Sequence, residues 1–148
     1  MNNSDLSLPA QAHAVMLVLY VAFLTGCATP LPIEEAVETE VLFRTEFTDR
    51  IENFFEYDPL KSGETSAFLI HLTDLLDGSP VSDAQVQLSV WAQGSESEAA
   101  GTTALAGRVT GIYVAELAVP IPGIYDIEFR VQNDEMNESM TLSGFEVE

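Results

Sequence analysis

Soft metal donors are scarce in this chain, and their positions bound its chemistry. There is one cysteine, Cys27, and two histidines, His13 and His71. Met136 and Met140 stand four apart near Asp134, Glu135 and Glu138. Soft ions select thiolate, thioether or imidazole, whereas hard ions need several oxygens. His71 and the Met136/Met140 turn are therefore the candidate metal donors. No Cys-x-x-Cys, histidine pair or calcium-loop spacing accompanies them. A structural or surface histidine, and a methionine pair that packs beside a turn, are the plainer readings. Catalysis has less to work with. Acid–base chemistry needs two positioned titratable groups, and covalent chemistry needs a nucleophile beside its base. One histidine beyond the leader and scattered serines form no recognisable triad. Asp74 and Asp77 fall in a turn, where aspartate serves backbone geometry. The chain reads as a non-enzyme with no resident cofactor.

Cys27 has a context of its own. It closes an apolar run that begins at Ala14, and it follows Leu24-Thr25-Gly26. An aliphatic residue three before a cysteine, with a small residue just before it, resembles the lipobox of bacterial lipoprotein signals. The resemblance implies cleavage ahead of Cys27 and lipid on its thiol and new amino group. The apolar run is shorter than the roughly 20 residues of a spanning helix and fits the centre of a signal peptide. The leader departs from the usual pattern, with Asp5 and His13 but no Lys or Arg, so Met16 is an alternative start. Residues 1–26 are expected as signal peptide and 27–40 as an acidic, proline-containing tether. The anchored chain would face the periplasm. In a host with two membranes, Ala28 after the cysteine favours the outer one.

The charge balance narrows the partners. There are 24 acidic residues against 5 Lys and Arg, a formal net charge of −19. Such a field repels phosphate backbones, so nucleic acid is an improbable partner. It could gather cations weakly or simply keep the domain soluble. With one cysteine no internal disulfide is possible, and burial alone must hold the core. Pro30 and Pro32, followed by Glu34, Glu35, Glu38 and Glu40, read as a stiff, self-repelling spacer.

The elements that must position these residues are strands. From Val41 the hydrophobic period is two. Leu42–Thr48 and Glu52–Tyr57 are expected strands, followed by Thr65–Thr73, where Phe68, Ile70 and Leu72 share one face. His71 falls on the opposite face beside Leu69 and Thr73. Ala84–Trp91 alternates Val86, Leu88 and Val90 against Gln85, Gln87 and Ser89. Ile112–Val119, Gly123–Val131 and Glu138–Val147 complete about seven. Phe54, Phe55, Tyr57 and Trp91 are expected core residues, with a ligand groove as the sharper alternative. Gln93–Gly107, rich in Gly, Ser and Ala, is expected as a mobile loop. Residues 41–148 thus predict an all-β domain, an antiparallel Ig-like or fibronectin-like β-sandwich without the Ig cysteine pair.

One long phrase carries a family likeness. Glu52-Asn53-Phe54-Phe55-Glu56-Tyr57-Asp58-Pro59-Leu60 leads through Ser62-Gly63-Glu64-Thr65-Ser66 into Ile70-His71-Leu72-Thr73-Asp74-Leu75. Pro80-Val81, Gly111-Ile112-Tyr113 and Pro122-Gly123-Ile124-Tyr125 follow in order. The set resembles the N-terminal β-domain of periplasmic adaptor subunits of resistance-nodulation-division efflux systems, especially the heavy-metal branch. It spans roughly Arg50 to Val131. In that family helical-hairpin, lipoyl-like and barrel domains follow, and the likeness here covers none of them. It implies an envelope location and a metal-handling neighbourhood, not transport. The reading is a non-catalytic envelope lipoprotein, a binding or interaction module associated with a metal-efflux system. A structural or assembly lipoprotein with no ligand of its own is the alternative.

Overall fold

The computed structural model describes Glu40–Glu148, so the expected signal peptide, Cys27 and the tether up to Thr39 lie outside the described residues. Eight antiparallel strands form where apolar residues alternate, and no helix occurs among the described residues. They are β1 (Leu42–Phe47), β2 (Ile51–Tyr57), β3 (Thr65–Asp74) and β4 (Gln85–Ala92), then β5 (Glu98–Ala106), β6 (Ile112–Ala118), β7 (Gly123–Gln132) and β8 (Asn137–Val147). The hydrogen-bonded order is β1-β2-β3-β6-β5-β4-β7-β8.

The strip curls on itself at β5. Ala100–Ala104 pair with β4, while Leu105 and Ala106 pair with Val114 and Tyr113 of β6. The two ends of the strip then come close. Arg44 on β1 donates to the carbonyls of Ser143 (2.9 Å) and Gly144 (3.1 Å) on β8, with its guanidinium 4.1 Å from the Phe145 ring centre. One arginine fork thus ties β1 to β8 from the inward side, with no backbone ladder between the two strands. At the far end of β8, the Glu148 N–H donates to the Leu60 carbonyl at 3.0 Å.

The expected loop at Gln93–Gly107 is corrected by β5. The stretch has no large alternating residues because its inward positions face the bend, where Ala100 and Ala104 suffice. Small residues at a tight corner look like a loop when read only by hydrophobicity.

Inward positions fill one core. Phe55, Phe68, Phe129 and Phe145 are fully buried, with Phe55 and Phe129 ring centres 4.7 Å apart and Tyr57 stacked on Phe68 at 5.2 Å. Phe68, Ile70, Leu72, Val86, Leu88 and Val90, expected to share a core, are all in it. Burial of each such side chain is worth about 1.5–3 kcal/mol. The expected aromatic core is corrected at two positions. Phe55 and Tyr57 point inward, but Phe54 and Trp91 are half-buried on the outward faces of β2 and β4. The β2 phrase alternates Phe54 and Phe55, so one aromatic of the pair must face out.

Candidate functional site

The outward faces differ, and β1, β2, β3 and β6 carry the apolar one. Cross-strand register assembles it into rows. Phe43 lies opposite Glu56, Glu56 opposite Leu69, Leu69 opposite Val114 and Val114 opposite Leu105. In the next row Thr45, Phe54, His71 and Ile112 succeed one another. Residues directly opposite touch through their side chains, so these rows form one surface. Phe43 is 72% exposed, Phe47 61% and Leu105 75%. The Phe43 and Phe54 ring centres are 6.4 Å apart. A shallow apolar depression of about 450 Å³ opens along the same side, between Val41, Glu56, Ala67, Leu69 and Val114.

His71 sits inside this surface. Its ring meets Phe54 edge-on, with centroids 5.3 Å apart, and its Nε2 is buried without a hydrogen-bond partner. Its cross-strand neighbours are Phe54 and Ile112, which offer neither a nucleophile nor a second metal donor. Met136 and Met140 lie on the other side of the sheet, both buried in the core. The Met140 sulfur accepts the amide of buried Asn53 at 3.5 Å, while Asn53 Oδ1 has no partner. Sequence spacing suggested a methionine turn; the fold uses both side chains as packing and keeps them apart from His71. Among the described residues no three His, Cys, Asp or Glu side chains converge as a metal-binding group.

A second candidate lies at one end of the strip. A polar cleft of about 300 Å³ opens between the β3–β4 and β7–β8 connections, with Asp74, Ser79, Asp83, Asn133, Asp134 and Glu135 around it. Arg50 braces its Asp74 wall. Its fork bonds both carboxylate oxygens of Asp74 at 2.8–3.0 Å, and Glu135 stands 4.0 Å away. The Asp74 carboxyl is held below its ordinary value of 3.8, first by the Arg50 fork and then by the Leu76 N–H. Arg50 is correspondingly raised, chiefly by Asp74. Ser79 holds Asp77 down in the same turn. The expected turn role of Asp74 and Asp77 is realised in their bonds to Leu76 and Ser79. Sequence reading missed the Arg50–Asp74 pair, because its partners are 24 residues apart and no local pattern joins them. The donors to Asp74 and Asp77 are all internal, so these two carboxylates stitch a corner of the fold.

No protein-family model, curated relative or solved structure matches this chain.

Proposed function

We propose that the chain is a lipid-anchored envelope protein that acts without catalysis, as an interaction module. The observation that carries this reading is the connected apolar face on β1, β2, β3 and β6. Single exposed hydrophobic residues are ordinary, but a contiguous patch marks a contact surface. Phe43 and Phe47 contribute little to the core from their outward positions, so packing alone does not account for them. Glu52, Glu56 and Glu116 are interspersed on the same face, which keeps it soluble while unoccupied.

The fold detail that best suits this role is a β-sandwich with one strand added. Setting β1 aside, β5 bonds β4 along most of its length and β6 only at Leu105 and Ala106, so a division into β2-β3-β6 and β5-β4-β7-β8 supports a three-plus-four sandwich, unlike the four-plus-three grouping of immunoglobulin constant-type domains. Tyr125, near the start of β7, donates its hydroxyl to the Ile121 carbonyl at 2.8 Å, a bond of the tyrosine-corner type. β1 is then the addition to the common plan, and it is the strand that displays Phe43 and Phe47.

The anchor rests on Leu24-Thr25-Gly26-Cys27, and the efflux neighbourhood on the ordered phrase from Arg50 to Val131. Cells expressing the full chain and its Cys27→Ser variant test the anchor. The wild type should fractionate with membranes, and the variant should be released or accumulate as uncut precursor. Identical fractionation and migration would contradict the anchor. Cross-linking of membranes that carry a metal-efflux system, with and without Phe43→Ser/Phe47→Ser, tests the face. An adduct with an efflux component that the double variant loses supports the reading; an adduct indifferent to it contradicts it.

A further inference from the structure

β1 ends the strip: among the described residues no strand pairs with its second edge, and β8 is reached only by the inward Arg44 side chain. The Thr48 N–H bonds the Ile51 carbonyl at 2.9 Å, which sets the phase of the β1–β2 ladder. In an antiparallel pair the bonded residues alternate, so Leu42, Arg44 and Glu46 bond β2. Phe43, Thr45 and Phe47 therefore turn both their N–H and C=O groups toward the free edge. An exposed apolar edge strand is a template for another strand.

The composition of β1 selects its occupant. We infer that β1 pairs antiparallel with β1 of a second copy of this chain, about a two-fold axis at Thr45. In that register Thr45 meets Thr45, and Phe43 meets the second copy's Phe47 on the apolar outward side. Arg44 meets the second copy's Glu46 on the inward side. The residues brought into bonded positions, Phe43, Thr45 and Phe47, are those whose backbone groups are free. Slipping the register by one pair in either direction sets Arg44 against Arg44 or Glu46 against Glu46, and like charges directly opposite are destabilising. Only the Thr45-centred register joins opposite charges and aromatic rings together. Arg44 makes two of its possible five donations to Ser143 and Gly144, so it can receive the carboxylate without leaving β8. An acidic segment of the chain's own tether is a poorer occupant, because Glu34, Glu35 and Glu38 would bring like charge to Glu46.

The contact is a self-complementary, two-fold interface of the kind most homodimers use. One pair of six-residue strands buries less than a standard stable interface, so the dimer is weak and concentration-dependent. It deepens the interaction-module reading by merging two apolar faces into one. It does not depend on the anchor or on any efflux partner.

Light scattering on the purified full-length chain in detergent, at about 0.15 M salt where screening acts within about 8 Å, measures the mass against concentration. A rise from monomer to dimer is expected. Glu46→Lys should weaken it about tenfold, although this substitution lowers the net repulsion between copies. Glu64→Lys, the same charge change in the exposed β2–β3 turn, should leave it unchanged or strengthen it. Thr45→Pro removes an N–H that only the free edge uses and should abolish the dimer. Under mild oxidation Thr45→Cys should cross-link copies beyond the level set by Cys27 alone, and Glu64→Cys should not. A chain that stays monomeric up to about 100 μM, a weak affinity by the usual scale, would overturn the inference. So would a dimer that Glu46→Lys and Thr45→Pro both leave intact, or equal cross-linking at positions 45 and 64.

Discussion

The two outward faces of this domain are built on the same inward alternation and end up chemically opposite. Along β4, β7 and β8 the outward positions are mostly polar, Gln85, Gln87 and Ser89, then Asp126, Glu128, Arg130 and Gln132, with Ser139 and Thr141 beyond, and Trp91 and Ile124 are the apolar exceptions at one end. Glu128 accepts from Ser139 and Arg130, and its carboxyl is held below the ordinary 4.5, chiefly by the Ser139 hydroxyl. Those three side chains satisfy one another, while Asp126 Oδ1 on the same face is buried without a partner. Along β1, β2, β3 and β6 the equivalent positions hold Phe43, Phe54, Leu69, His71 and Val114, and the His71 Nε2 is left without a partner. Strand formation needs only the inward half of the pattern, so the outward half is free to record what the face meets. One face is mostly polar, and the other is the face proposed above to take a partner.

The largest effect should fall on what the faces share. Phe129 is fully buried, and its ring centre lies 4.7 Å from that of Phe55 across the core. Phe129→Ala should cost about 3–5 kcal/mol in chemical denaturation, a large share of a small domain's stability, and both faces should be lost in one transition. A smaller loss would mean that the two halves hold themselves separately, and the comparison would then be between two units.

Acid should separate the stitched corner from the faces. The folded Asp74 carboxyl titrates below its unfolded value near 3.8. Its contribution is therefore complete above that value and disappears as pH falls through the lower folded one. Wild type should melt above Asp74→Asn by a constant margin at neutral pH, and the margin should shrink below about pH 4. A gap that is constant to pH 2.5 would remove the Arg50–Asp74 fork from the account.

Surface substitutions should change stability least and association most. Phe43→Ser/Phe47→Ser should shift stability by about 0.5 kcal/mol or less per site, as exposed positions do, while reducing association. Gln87→Ala/Thr141→Ala, on the polar face, should change neither. The comparison fails if the polar pair weakens association as much as the aromatic pair.

The smallest effect concerns cations. Copper or zinc should associate diffusely with this acidic chain and weaken as salt rises. His71→Ala should not change that, nor should Met136→Leu/Met140→Leu, which keeps the core volume. Stoichiometric, salt-resistant binding lost in His71→Ala would turn the apolar face into a metal site.

Much of the fold was legible because its signal is local. Phe68, Ile70 and Leu72, or Val86, Leu88 and Val90, declare a buried face within one strand. β5 was not legible, since a corner needs small residues, and Gly101 with Ala100 and Ala104 look like spacer. The outward placement of Phe54 could have been read from its adjacency to Phe55, while that of Trp91 depends on the registers of β4 with β5 and β7. The apolar face itself was illegible, because it forms from single outward residues on separate strands that only the registers bring into rows. Alternation alone puts His71 on the outward side of β3, while its contact with Phe54 follows only from the β2–β3 register.

Thiol reactivity in native membranes tests the central claim most directly. Single cysteines at positions 43 and 47, and at 87 and 141 on the polar face, are introduced into the full chain and treated with a bulky thiol reagent. The unsubstituted chain, with Cys27 alone, sets the baseline. Cysteines 43 and 47 should react slowly in the native membrane and rapidly after dilution in detergent, where a weak contact is lost, while 87 and 141 react equally in both. If 43 and 47 react as fast as 87 and 141 before dilution, the apolar face is unoccupied, and its reading as the working surface is wrong.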